Sequence, residues 1–98
     1  MKQEFVNIPL RDNSSKHQYE LTFGGKLALI EYQRNENTIS LVHTEVDPDL
    51  EGKGAGSAIV EKVLEQVKAD GLKIVPLCSF VRSFIKRHPQ WESIQAPR

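Results

Sequence analysis

The hydrophobic positions change period once along the chain, and that change organises the rest. From His17, the residues Tyr19, Leu21 and Phe23 alternate with Gln18, Glu20 and Thr22, which predicts a half-buried strand. Gly24-Gly25 follows, and adjacent glycines supply the positive φ that both central positions of a type I′ hairpin need. A second strand is expected from Lys26 to Arg34, then a turn at Asn35-Glu36-Asn37, then a third strand from Thr38 to about Val46. Together these form an antiparallel meander. Ahead of it, Phe5, Ile8 and Leu10 predict a short edge strand; Pro9 suits an edge, where one side of the backbone has no ladder to serve. Asn13-Ser14-Ser15 reads as a turn or loop.

Asp47-Pro48-Asp49 breaks the third strand, and the period then becomes helical. Val60, Val63, Leu64 and Val67 fall at i, i+3, i+4 and i+7, with Ile59 widening the stripe and Glu61, Lys62, Glu65 and Lys68 on the other side. Gly71 is placed to end this helix in a left-handed conformation. Lys73–Leu77 reads as a short strand, and Cys78-Ser79 leads into a second helix with Phe80, Val81, Phe84, Ile85 and His88 on one side, stopped by Pro89. The tail from Gln90 to Arg98 is expected to be irregular, with Trp91 packing back on the core. A strand, a helix and a strand in succession make a crossover whose strands are parallel. The expected fold is therefore α/β, an α+β mixed sheet covered by two main helices.

Ninety-eight residues predict a single domain, 1–98. The chain is 39% hydrophobic and 27% charged, as in soluble globular proteins. Its apolar runs are too short to span a bilayer, and Met1–Phe5 lacks the apolar stretch of a signal peptide. Cys78 is the single cysteine, so no internal disulfide forms and no metal site is expected; the default location is cytoplasmic. Zero formal charge argues against a dedicated nucleic-acid binder. From residue 73 onward, however, Lys73, Arg82, Lys86, Arg87 and Arg98 stand against Glu92 alone. Composition leaves two readings of them: a patch for a phosphorylated ligand, or a solvated helix face.

The segment Glu51-Gly52-Lys53-Gly54-Ala55-Gly56 lies between a strand and a helix. Glycines there let the backbone turn tightly and come close to a ligand. The first N–H groups of a helix lack internal partners and carry the positive end of its dipole, which suits a phosphate. The dinucleotide fingerprint G-x-G-x-x-G is not met, since the glycines fall at 52, 54 and 56. Nor is the P-loop, because Gly54 follows Lys53. A plain flexible loop is the other reading of these residues.

The loop resembles the Q/R-x-x-G-x-G/A motif of the GNAT superfamily of N-acetyltransferases. His43-Thr44-Glu45-Val46, the loop, and Pro76-Leu77-Cys78-Ser79-Phe80-Val81 through Arg87-His88-Pro89 extend the likeness over about residues 17–94. Together they resemble a compact subfamily of short GNAT proteins, the YjdJ-like or GNAT-domain-containing proteins. The resemblance implies a compact GNAT fold and acetyl-CoA as cosubstrate. It implies that Val46, Glu51, Gly52, Lys53, Gly54, Ala55, Gly56 and Ser57 bind the cofactor, and that Cys78, Phe80, Ser83, Phe84 and Arg87 complete its site. The acceptor implied is an amine, on a small molecule, peptide or protein; no nucleic acid and no membrane is expected as partner. Glu51 departs from the motif by standing where Gln or Arg is usual, so its carboxylate should turn away from the pyrophosphate. The two helices that larger members place after the first strand are missing, which implies an open acceptor side.

Acetyl transfer to an amine needs a held thioester, a deprotonated nucleophile and a stabilised leaving thiolate. Cys78 stands before a helix N-terminus, a position that lowers a thiol's pKa. The resemblance implies a place near the acetyl group, as covalent acceptor or proton donor; the alternative is a buried small hydrophobe. His43 and Glu45 share a strand face with Ile39 and Leu41 if alternation holds. Imidazole titrates near neutrality, so His43 is a candidate base with Glu45 beside it; a histidine satisfied within the sheet is the alternative. The tyrosine that many superfamily members use as general acid on the last helix is absent; Phe80 and Phe84 stand there, for packing or for the pantetheine arm. Ser83 and Arg87 are placed to help hold the cofactor, with Lys86 or Arg87 near its 3′-phosphate.

Overall fold

The computed structural model describes residues 1–97. Arg98, one of the basic residues noted above, lies outside the described residues. Three consecutive strands, β2 (Gln18–Phe23), β3 (Lys26–Arg34) and β4 (Thr38–Val46), form the expected antiparallel meander. Gly24 and Gly25 turn the first hairpin with φ of 57° and 76°. Helix α2 (Ala55–Ala69) follows, and strand β5 (Lys73–Pro76) returns parallel to β4. Helix α3 (Ser79–Arg87) comes last. With a short first strand β1 (Arg11–Asn13), the sheet runs in the order β1-β2-β3-β4-β5, so the mixed α/β architecture is as expected.

The apolar stripe of α2 explains how the layers hold. Ile59, Val60, Val63, Leu64 and Val67 are wholly buried against one face of the sheet, where Leu21, Ala28, Ile30, Ile39, Leu41 and Ile74 are likewise buried. Each Val, Leu or Ile side chain among them contributes roughly 1.5–3 kcal/mol by leaving water. The helix closes on Gly71 at φ 72°: Gly71 N–H donates to Lys68 O and Leu72 N–H to Val67 O. That pair of bonds is a Schellman cap and satisfies carbonyls that the helix leaves open.

The N-terminal expectation is overturned. Phe5 lies in a short helix α1 (Gln3–Val6), wholly buried, with its ring 5.0 Å from that of Phe23. The edge strand β1 is Arg11–Asn13 instead, which has no apolar residue. Polar side chains specify it: Tyr32 Oη donates to Asp12 Oδ1 at 2.6 Å, and Asn13 Nδ2 to Glu20 Oε2 at 2.9 Å. Hydrophobic period cannot see such a strand.

For the same reason β2 is more than half-buried. Gln18 and Glu20 are buried on the side away from α2, where Gln18 Nε2 donates to Glu20 Oε2 at 2.6 Å. Up to Gln95 the tail is not irregular either. Pro89–Ile94 winds as a 3₁₀ helix with Ile94 buried and Trp91 against the core. Gln95 then bridges Ile74 in parallel, and Ala96 N–H donates to Ile74 O at 2.8 Å. Its backbone finds partners on the outer edge of β5, where water would otherwise have to serve.

The most consequential departure is within β4. Tyr32 pairs with Leu41, but the next residue back on β3, Glu31, pairs with His43. Val42 is the extra residue of a bulge, and it is exposed. A bulge resets strand alternation by one residue. Thr44 and Val46, paired with Ile30 and Ala28, therefore take the core face. His43 and Glu45 turn to the opposite face, exposed, rather than continuing the row of Ile39 and Leu41. The parallel ladder stops at the same place. β5 pairs only with Thr38–Leu41, and Leu41 O accepts from both Leu77 N–H and Cys78 N–H. Beyond it, among the described residues, β4 keeps β3 on one side and a free edge on the other. Among the described residues no helix is long and apolar enough to cross a membrane.

Two outcomes are expected. Gly71→Ala forces a left-handed φ on a residue with a Cβ and should cost about 1 kcal/mol, seen as a fall of roughly 4–8 °C in thermal midpoint for a domain this size. Glu20 is held below the ordinary carboxyl value of 4.5, chiefly by hydrogen bonds from Gln18 and Asn13, with burial opposing and Arg11 and Lys16 assisting. A carboxylate depressed in the fold adds stability above its unfolded pKa and loses it as pH falls through the folded one. Denaturant titrations should therefore show stability declining below about pH 4.5, with a shallower decline in Glu20→Gln.

Candidate functional site

The fork between β4 and β5 opens into a cleft of about 330 Å³. Three parts of the chain build it. Thr44 and Val46 come from the free end of β4, Phe80 from the first turn of α3, and the loop from Leu50 to Ser57 supplies the rest except Lys53. Thr44 is there because of the bulge, and so it escaped a reading based on strict alternation. Leu50 also went unnoticed; it is the buried anchor of the Pro48–Leu50 turn that launches the loop.

The loop's shape follows from its residues. Asp47 accepts from Asp49 N–H at 2.9 Å and closes a 3₁₀ turn begun by Pro48. Gly52 and Gly54 have φ of 77° and 88°, a region costly for other residues. Gly54 is the N-cap of α2 and brings no side-chain cap. The first helical bond closed is Ala58 N–H to Gly54 O. The N–H groups of Ala55, Gly56 and Ser57 precede it and lie at the cleft wall, at the positive end of the helix. Gly56 has a different reason to be glycine. A Cβ there would lie 2.8 Å from Phe80 Cζ, so the ring rests on the bare backbone of the helix start.

Cys78 sits at the inner end of the fork as N-cap of α3, partly buried. Its Sγ lies 3.3 Å from Thr44 Oγ1. Burial alone pushes the thiol up. The Thr44 hydroxyl, with the N–H dipoles of Val81, Phe80 and Thr44, outweighs burial and holds it below its ordinary value.

Val46, Glu51, Gly52, Gly54, Ala55, Gly56, Ser57 and Phe80 thus line one cleft, and Cys78 touches its Thr44. Other expected site residues lie elsewhere. Lys53 is exposed and outside the lining. Ser83 and Arg87 are exposed on α3, while Phe84 is buried with its ring stacked on His88 at 4.2 Å. His43 and Glu45 face each other on the other side of the sheet, Nε2 to Oε1 at 3.4 Å, both more than half exposed. A second groove, lined by Leu27, Leu29, Glu45, Asp47 and Pro48, shares Thr44, Val46 and Glu51 with the cleft. Among the described residues no group of His, Cys, Asp and Glu is arranged to hold a metal ion.

The rate of Cys78 alkylation by iodoacetamide should rise with pH at a midpoint below that of an ordinary thiol. Thr44→Val removes the largest of the opposing influences and leaves burial, so the midpoint should move upward; an unmoved midpoint would show that the hydroxyl does not act on the sulfur.

A family model described as GCN5-related N-acetyl-transferase matches residues 18–94. Among solved structures, the chain is similar to a GCN5-like protein from Staphylococcus aureus, determined by NMR and bearing a provisional N-acetyltransferase assignment. The two share 23% identity with a TM-score of 0.69, over 95% of this chain and 92% of that one. The likeness is one of fold. No curated protein matches. With its meander, crossover helix and fork inside the matched span, the chain belongs to the GCN5-related N-acetyl-transferase family.

Proposed function

We propose that this chain is an acetyl-CoA-dependent N-acetyltransferase whose cofactor lies in the fork cleft. The observation that carries the reading is a coincidence of two unpaired backbone surfaces. The open N–H groups of Ala55, Gly56 and Ser57 and the free edge of β4 line the same cleft. The first suits a pyrophosphate. The second offers ladder groups to the amides of a pantetheine arm, much as an added strand would use them. Phe80, 39% exposed, gives the arm an apolar wall. On this reading the thioester reaches the inner end of the fork, near Thr44 and Cys78.

The amine attacks the thioester carbonyl, its proton is lost, and CoA leaves as the thiol. The second groove is the side from which an amine would come. Its carboxylates, Glu45, Asp47 and Glu51, suit an ammonium, and Leu27 and Leu29 give it an apolar floor. On this reading His43, paired to Glu45, takes a proton outside the cleft rather than inside it. Cys78 is the group nearest the reacting end. Its lowered thiol pKa suits it to take the acetyl group itself or to exchange a proton with the leaving sulfur. Lys53, Ser83, Phe84 and Arg87 are outside the cleft lining, so a direct cofactor contact from them would need the ligand to extend along the surface. The finer placement, among the short YjdJ-like proteins in the cytoplasm, rests on the His43–Val46 and Pro76–Pro89 segments and on the lone cysteine.

A second reading, a CoA-binding module without turnover, is favoured by one observation: α3 offers Phe80 and Phe84 where a tyrosine acid is usual. Titration with acetyl-CoA by calorimetry or NMR tests both readings, and absence of binding at millimolar ligand defeats both. Release of free thiol on adding a panel of primary amines is expected only for the enzyme. Cys78→Ala should retain CoA binding and lose about a hundredfold or more in transfer rate, the range for a positioned acid–base or nucleophilic group. Transfer at the wild-type rate would remove Cys78 from the chemistry.

A further inference from the structure

The proposed phosphate cradle is short of positive charge. Between residues 47 and 57 its side chains carry Asp47, Asp49 and Glu51 against Lys53 alone. Lys26, the cation that reaches this loop from β3, is 3.2 Å from Asp49 and pairs with it. Glu51 lines the cleft itself. A pyrophosphate bound here would meet helix dipoles and a net negative loop.

One cation comes to the loop from far away in sequence. The stem of Lys2 lies on Gly54: a Cβ built on that glycine would meet Lys2 Cδ and Cε, each at 3.2 Å. Gly54 is the N-cap of α2, directly before the open N–H groups of Ala55, Gly56 and Ser57. Lys2 is not itself among the residues lining the cleft, but its ammonium is one bond beyond Cε, which rests on the lining residue Gly54. Among the described residues no carboxylate pairs with that ammonium. The backbone around it is held. Phe5 is wholly buried against Phe23, Phe5 N–H donates to Lys2 O at 3.1 Å, and Lys62 Nζ donates to Val6 O at 3.2 Å. Burial of Phe5 is thus what docks residue 2 on the loop.

We propose that Lys2 is a cofactor-binding residue that presents its ammonium to the pyrophosphate of the bound coenzyme, supplying charge that the loop's own side chains lack. The inference rests on the reading of the fork cleft as the coenzyme site. It goes beyond the family likeness, because residue 2 lies ahead of the matched span, 18–94. The physical basis is a charge-assisted contact made by a side chain whose stem is already laid against the backbone, which lowers the entropy lost on binding.

The test is calorimetric titration of CoA and of dephospho-CoA into the full chain and into Lys2→Gln, Lys2→Glu and Lys2→Arg, at low and high salt. Lys2 is exposed, so the variants should keep the wild-type thermal midpoint. Lys2→Gln should weaken both ligands by about three- to tenfold, the scale of one exposed charge-assisted contact. Lys2→Glu should weaken them further, and Lys2→Arg should restore most of the affinity. The salt dependence of CoA binding should flatten in Lys2→Gln, which a purely structural role would not cause. Unchanged affinity in Lys2→Gln would overturn the proposal. So would a loss confined to CoA and absent for dephospho-CoA, since the ammonium would then serve the 3′-phosphate. A wild-type chain that binds neither ligand would defeat the coenzyme reading of the cleft itself, and this inference with it.

Discussion

The cleft depends on a mismatch between two ladders that share β4. Its antiparallel pairing with β3 runs to Val46, whereas its parallel pairing with β5 ends at Leu41. Past that point β5 has nowhere to continue: Leu41 O takes the N–H groups of both Leu77 and Cys78, and the chain turns into α3. A free strand edge is usually a liability, because its backbone groups invite another strand. Here it faces a concavity, with α2 and α3 starting on either side. The bulge at Val42 coincides with the fork and turns Thr44 and Val46 inward, so the free end of the strand presents a hydroxyl and a small apolar group to the cleft.

What the cleft can do follows from which groups it leaves unsatisfied. Gly54 caps α2 without a side chain, so the helix start stays open instead of being closed by a Ser or Asp. Gly56 lets Phe80 lie on that start at a distance no Cβ would tolerate. At the other end, the start of α3 does to a thiol what the start of α2 offers a phosphate. Both helices point their positive ends into one space, and the Cys78 sulfur is biased toward the thiolate by the Thr44 hydroxyl and by N–H dipoles, against its burial. Formal charge does not register these helix dipoles, because they belong to the backbone.

Most of the fold was legible. The meander from Gln18 to Val46, its two turns, the α2 stripe, Gly71, β5 and α3 lie where the spacing put them, since each depends on local propensity and on one buried face. The misses share a cause. β1 is held by Asp12 and Asn13 through side-chain hydrogen bonds to Tyr32 and Glu20, residues distant in sequence. Gln95 and Ala96 are held by Ile74 at the sheet edge. Phe5 was visible as a hydrophobe, but the ring it packs on, Phe23, is distant in sequence. In each case the partner that decides lies outside any local window.

The site divides along the same line. The loop part of the site was readable from the residues alone: glycines between a strand and a helix require a tight, bare loop, and a helix start is electropositive wherever it occurs. The sequence also determined that a cysteine would precede a helix. Tertiary structure decided the rest. One extra residue in β4 moved His43 and Glu45 to the opposite face and brought Thr44 to Cys78, because side-chain direction in a strand depends on register with the neighbouring strand. It also set which residues of α3 reach the cleft. Phe80 lines it, while Phe84, one turn on, is consumed by the core.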